Sequence, residues 1–162
     1  MPTVILDSDF LSSFLKIDRC ELIRIFYRLE TALIPAAVHR EIAQTDLLGQ
    51  LLEAGWIKSP PAEPLPDDDL LEDHVFHALG DGEQACIVLT RTLADAGLLT
   101  NDNLARRFAA SLGIVVVNIP AFLLACKEEG LLGRDQVAQI VEDLRAKDYY
   151  EFKAEVRELL LA

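Results

Sequence analysis

The chain has 162 residues, 51% of them apolar, enough to bury a core in one domain rather than remain disordered. Its net charge of −12, from 27 acids against 15 bases, argues against broad, sequence-independent binding of nucleic acid, which draws on a positive surface. No apolar run approaches the roughly 20 residues of a bilayer span, and no basic stretch leads into an apolar one at the start, so neither a membrane segment nor a signal peptide is expected. Cys20, Cys86 and Cys126 are widely spaced and form no Cys-x-x-Cys pair, which suits a reducing cytoplasm better than a disulfide framework or a zinc site.

Thr3 to Leu6 reads as a short strand that stops at Asp7. Phe10, Leu11, Phe14, Leu15 and Ile17 then recur at helical spacing. A second helix covers Glu21 to Leu29, with Arg24 and Arg28 one turn apart. Leu33-Ile34 is a brief strand ended by Pro35, a residue well placed at the start of the next helix. That helix runs from Ala36 to about Thr45 and carries Arg40 and Glu41. Another spans about Asp46 to Ala54, and Trp56 to Lys58 suits a strand. Pro60 to Pro66 breaks regular structure and begins an acid-rich loop. Leu70 to Leu79 is weakly helical. A helix from about Gly82 to Ala96 precedes a strand at Leu98 to Thr100. A helix from Leu104 to Leu112 ends at Gly113. Ile114 to Val117 is an unbroken β-branched run, as expected of a strand buried on both faces. Helices follow at Ile119 to Glu129, Asp135 to Ala146 and Tyr150 to Leu161. Short apolar strands alternating with helices, without hairpin signals, predict an α/β fold with a parallel sheet covered on both faces.

In such a sheet, ligands bind beyond the carboxyl ends of the strands. Asp7 and Asp102 each follow a predicted strand, so both belong to that edge. Glu41 lies one and a half turns into the helix after the second strand, and Glu83 opens the helix that feeds the strand before Asp102. Each acid also has an ordinary explanation. Asp7 or Asp9 could cap the first helix, and Asp102 the helix at Leu104. Asp81 with Gln84 matches a capping box around Glu83, and Glu41 could be a solvated surface acid. Taken together, several acids from separate segments would repel one another without a cation between them. An all-oxygen donor set without histidine pairs suits Mg²⁺ or Mn²⁺.

The ordered set is distinctive: Val4-Ile-Leu-Asp7-Ser-Asp9, Val38-His-Arg-Glu41-Ile, Leu79-Gly-Asp-Gly-Glu83-Gln-Ala, Leu99-Thr-Asn-Asp102 with Ala105-Arg106, then Leu112-Gly113-Ile114. It resembles the PIN-domain (PilT N-terminus) nucleases, many of which are VapC-type toxins. The stretch from Ala121 to Leu132 is similar to the tail of an uncharacterised bacterial and archaeal PIN subfamily. The resemblance implies a single PIN-like domain over residues 1–162: a three-layer α/β/α sandwich with a central, mostly parallel sheet of four to five strands. Helices from about 133–162 would pack on it. It further implies a Mg²⁺- or Mn²⁺-dependent endoribonuclease. Asp7, Glu41, Glu83 and Asp102 would be the acidic quartet, Asp7 and Asp102 the direct metal ligands, and Ser8, Asp9 and Thr100 their supports. Arg40, Arg106 and Arg107, with Arg24 and Arg28, would meet RNA phosphates. A cognate antitoxin protein and a homodimer are the partners it implies, in the cytoplasm. Two departures stand out: Asp9 where relatives often carry Asn, and Asn101 where they often carry an acid. Asp7-Ser8-Asp9 also resembles the first motif of haloacid-dehalogenase-like phosphatases. A second alternative is a PIN fold that binds a partner without catalysis.

Overall fold

The computed structural model describes residues 3–162. The chain begins with β1 (Thr3–Leu6), α1 (Ser8–Lys16), α2 (Glu21–Tyr27), β2 (Ala32–Leu33), α3 (Ala36–Ala43), α4 (Leu48–Glu53) and β3 (Ile57–Lys58). It continues through α5 (Asp68–Leu71), α6 (His74–Ala78), α7 (Asp81–Thr92), β4 (Ala96–Leu99), α8 (Asn103–Ser111) and β5 (Val115–Val117). It ends with α9 (Ile119–Glu128), α10 (Arg134–Asp148) and α11 (Ala154–Leu161).

The five strands form one sheet in the order β3-β2-β1-β4-β5, and every pairing is parallel. Parallel neighbours need crossovers, which the helices supply, giving a three-layer α/β/α sandwich. β1 is central, with Val4, Ile5 and Leu6 wholly buried. From β1 the chain first builds outward through β2 and β3, then returns to β4 on the other side. The order therefore reverses between β1 and β4. At such a reversal the connections leave in opposite directions and open a crevice at the strands' carboxyl ends. The register Leu6↔Leu99 brings those two ends level.

Aromatic packing joins the end of the chain to its beginning. Phe10 and Phe14 lie one turn apart on α1, their rings stacked at 5.1 Å, and Phe122 of α9 meets both edge-on at 5.8 and 5.5 Å. α10 and α11 pack on this layer, α10 against α1 and both against α9.

Four local expectations change. The β-branched run at 115–117 is an edge strand with Val115 56% exposed, not a strand buried on both faces. Its composition reflects strand preference rather than double burial. The weak helix expected over 70–79 is two short ones. Asp67 caps α5, and Asp73 caps α6 by accepting from the Val75 and Phe76 N–H groups. α7 ends at Thr92 and β4 starts at Ala96, both earlier than the apolar pattern suggests, because Asp95 turns the chain at φ +50°. α11 begins at Ala154 instead of Tyr150, after Tyr149 reverses the chain at φ +53°. No helix among the described residues is long and apolar enough to cross a membrane.

Candidate active site

Asp7 is the first residue beyond β1, and its N–H still pairs with Leu99 O of β4 at 2.9 Å. Its extended backbone (φ −81°, ψ 157°) makes it the N-cap of α1, where Oδ1 accepts the Ser8 N–H at 2.8 Å. Oδ2 accepts the hydroxyl of wholly buried Thr100 at 2.7 Å. The residue is only 2% exposed. Burial, followed by the charge of Asp9, pushes its pKa up to about 7, against the pull of the Thr100 and Ser8 hydrogen bonds. The Cys86 thiol lies beneath, 3.7 Å from Leu6 O and 4.0 Å from Asp7 Oδ1. Burial and the same acids hold its pKa well above the usual thiol range, so it is an inert wall of the site.

The other acids gather around this point. Asp9 Oδ1 accepts the Phe10 N–H at 2.6 Å and the Asn101 N–H at 3.3 Å. Its pKa is raised chiefly by burial. Glu41 reaches in from α3, where its Oε2 accepts the Ser8 hydroxyl at 2.5 Å. Glu83, in the first turn of α7, accepts the Gly80 N–H through Oε2 at 2.8 Å. Its pKa is raised by burial first, then by Asp102, Asp9 and Glu41. Asp102 caps α8, with Oδ1 accepting the Ala105 N–H at 2.8 Å, so that helix begins at Asn103 and not at Leu104.

The capping arrangement at α7 also differs from the expected Asp81–Gln84 pair. The cap is Gly80 and its partner Glu83, while Gln84 Nε2 donates to Phe76 O and Leu79 O at 3.0 Å each. Gly82 has a role that its position in a helix did not announce. A Cβ built there would run into Glu41 Oε1, so the glycine admits the Glu41 carboxylate to the N-terminus of α7. Glycine inside a helix costs about 1 kcal/mol relative to alanine, and that local cost was the available signal. Thr100, named from the sequence among the supports of the acidic quartet, donates its hydroxyl to Asp7 Oδ2.

The structure thus draws Asp7, Glu41, Glu83 and Asp102, with Asp9, to one edge. None of the five takes part in an ion pair among the described residues. Each instead leans on a local N–H or hydroxyl donor, and no group of three or more His, Cys, Asp or Glu among the described residues is placed to hold a metal ion. The donor chemistry, all carboxylate oxygen, fits a hard divalent cation. Glu41, Glu83 and Asp102 each keep one carboxylate oxygen outside the bonds described above.

The arginines divide. Arg106 sits on α8, with Nη2 donating to Asn103 Oδ1 at 2.9 Å and Nε buried without a partner among the described residues. Arg107 follows it and is exposed, as is Arg40 beside Glu41. Arg24 pairs with Glu21 on α2, and Arg28 ends that helix four residues before β2 begins. That end of β2 is the opposite edge of the sheet, so Arg24 and Arg28 stand away from the acids.

A family model described as a PIN domain matches residues 3–161. No curated protein matches the chain. A haloacid-dehalogenase-like role would need Asp7 as an accessible nucleophile, whereas both its oxygens already accept hydrogen bonds in a buried position. With the match spanning nearly every residue and the all-parallel sandwich placing its acids at the strand-order reversal, the chain belongs to the PIN-domain family.

Proposed function

We propose that the chain is a Mg²⁺- or Mn²⁺-dependent endoribonuclease whose acidic centre is Asp7, Glu41, Glu83 and Asp102. PIN domains are generally nucleases, and such nucleases typically use these metals. The observation that carries the reading is Asp7: a buried carboxyl with its pKa near 7, at the strand-order reversal, among four further acids that form no ion pair among the described residues. Asp7 and Asp102 would hold the metal directly, with Glu41 and Glu83 completing its surroundings. A metal held there would supply Lewis acidity to polarise the phosphodiester, lower the pKa of a water and stabilise the leaving oxygen.

The chain's own residues set up that chemistry. The Thr100 hydroxyl fixes Asp7 Oδ2, and the Ser8 hydroxyl fixes Glu41 Oε2. Burial raises the Asp7 pKa to about 7, so a cation held by that carboxylate would compete with its proton. Arg40, Arg106 and Arg107 would meet RNA phosphates. The family resemblance extends the reading to a toxin role with a small antitoxin protein and to a homodimer. The three free cysteines support a reducing, cytoplasmic setting.

RNA cleavage with Mn²⁺ or Mg²⁺, with and without chelator, tests this on the wild type and on Asp7→Asn. Activity lost on chelation and in the variant is expected. Metal-independent cleavage, or an unaffected variant, overturns the mechanism. One observation favours a second reading, a PIN fold kept for binding: each of these carboxylates already has a local donor, and no three of them among the described residues are placed to hold a metal ion. No cleavage, together with no stabilisation by Mn²⁺, would select it.

A further inference from the structure

Beside the acids lies a cleft of about 500 Å³, with walls that include Asn101, Arg106, Asn118, Tyr150, Phe152 and Lys153. Asn101 belongs to both places. Its N–H donates to Asp9 Oδ1 at 3.3 Å, while its own Oδ1 accepts the Ile119 N–H at 3.1 Å. The side chain thereby ties the end of β4 to the start of α9. The far wall comes from the segment between α10 and α11. Tyr149 reverses the chain there, and the Tyr150 N–H bonds back to Leu144 O at 3.1 Å. Tyr150 and Phe152 then stand edge-to-face, with centroids 4.9 Å apart and planes at 88°.

The chemistry of this hollow contrasts with that of its neighbour. Glu151 is the one acid in its lining, against Arg106 and Lys153. Arg106 Nε is buried without an acceptor among the described residues, and Lys153 opens α11 with no side-chain cap on that helix. Arg106 itself lines the cleft, and a phosphate oxygen is a strong acceptor for a guanidinium. Half-buried aromatic rings beside such cations offer a face to an unpaired base. In a chain of net charge −12, a polyanion repelled by bare carboxylates finds here a foothold next to them.

We propose that this cleft is a nucleotide subsite of the same centre, where Arg106 and Lys153 hold a phosphate and Tyr150 with Phe152 stack a base of single-stranded RNA flanking the scissile bond. The proposal rests on the nuclease reading for the identity of the strand, though not for the existence of the site. Duplex RNA, with its bases stacked inside, is excluded from it.

Fluorescence anisotropy of a labelled ten-nucleotide oligouridine on the full chain, in chelator, tests it. In Tyr150→Ala/Phe152→Ala, Kd is expected to rise about tenfold. An abasic nucleotide should weaken wild-type binding similarly and weaken the double variant no further. Lys153→Ala should lower the slope of log Kd against log salt by about 0.7, the value for one single-strand phosphate contact. Arg106→Gln should weaken binding, and thermal melts report whether it is folded. If it is not, the exposed Lys153 variant and the abasic strand decide. In cleavage assays the aromatic variants should raise KM and leave kcat unchanged. Unchanged Kd in folded variants, or duplex bound as tightly as single strand, overturns the subsite. Should the wild type still cleave RNA with metal, the nuclease reading survives that failure. Binding lost in the variants, with no cleavage by the wild type, leaves the subsite standing and removes the nuclease.

Discussion

Asp7 is stabilised as a neutral group by its surroundings and as an anion by two hydrogen bonds, and the balance lies with the neutral form up to about pH 7. Its ordinary value, 3.8, is the one it regains in the unfolded chain. Between these values the folded state holds the extra proton, so stability falls as pH rises through that window and levels off above it. Urea unfolding of the metal-free protein should show this as a difference between proteins: the loss of stability from pH 5 to 7.5 is steeper in the wild type than in Asp7→Asn. Equal slopes would mean that Asp7 titrates as an ordinary carboxylate. Thr100 acts through the same group. Thr100→Val removes the donor to Oδ2 and should destabilise the fold by about 1–2 kcal/mol. It should also shift the acid limb of the pH–rate profile upward, and Thr100→Ser should restore it. Gly82 makes the opposite kind of prediction. In Gly82→Ala the obstructed atom is the end of a flexible side chain, so Glu41 can swing away, and alanine favours the helix. Stability should stay within about 1 kcal/mol of wild type while metal-dependent cleavage falls, because Glu41 has left Ser8. Unimpaired cleavage by this variant would show that the close approach of α3 and α7 is dispensable.

α1 carries Asp9 at one end and is held at the other by α10. Asp148, whose side chain is 12% exposed, accepts the Ser13 hydroxyl at 2.6 Å and pairs with Lys16 at 2.8 Å. Asp148→Ala should cost about 2 kcal/mol, the range for a partly buried charge-assisted contact, and should speed amide exchange in α10 before that in β1 and β4. Uniform acceleration instead would mean that α10 unfolds only with the whole chain. This clamp joins residues 135 positions apart and leaves no trace in local pattern. What was legible in the sequence follows periodicity and punctuation. Alternating apolar strands and helices announce a parallel sheet, and Asp7 and Asp102, directly after two of them, announce its working edge. Strand order was not legible, so the run at 115–117 looked doubly buried although it forms the edge. The same blindness hid the remoteness of Arg24 and Arg28, since helix periodicity says nothing about which end of the sheet a helix approaches. Gly82 was under-read because its partner, Glu41 Oε1, arrives from another element. The cleft under Tyr150 and Phe152 needs α8, α9 and the turn after α10 together, and no stretch of sequence contains all three.

The whole molecule carries a charge of −12, with five of its acids gathered at one edge, where burial first and neighbouring carboxylates second raise the pKa values of Asp7, Asp9 and Glu83. Two distinct effects of a divalent cation follow. Any salt screens the general repulsion, over a Debye length of about 10 Å at 0.1 M, and stabilises an acid-rich fold modestly. A cation that binds the acidic centre does more, because it binds only the folded state. At a hundredfold excess over its Kd it adds about 2.7 kcal/mol. For a chain of this size each kcal/mol moves the melting temperature by about 2–4 °C, so a rise of about 5–10 °C is expected with Mn²⁺. Sodium chloride at matched ionic strength should give only the screening part, and Asp7→Ala with Asp102→Ala should reduce the Mn²⁺ response to it. The rise should also shrink as pH falls below about 7, where the cation must displace the Asp7 proton. A rise equal in sodium chloride, or equal in the double variant, would place the effect on the diffuse acidic surface, and the centre at Asp7 would then hold no metal.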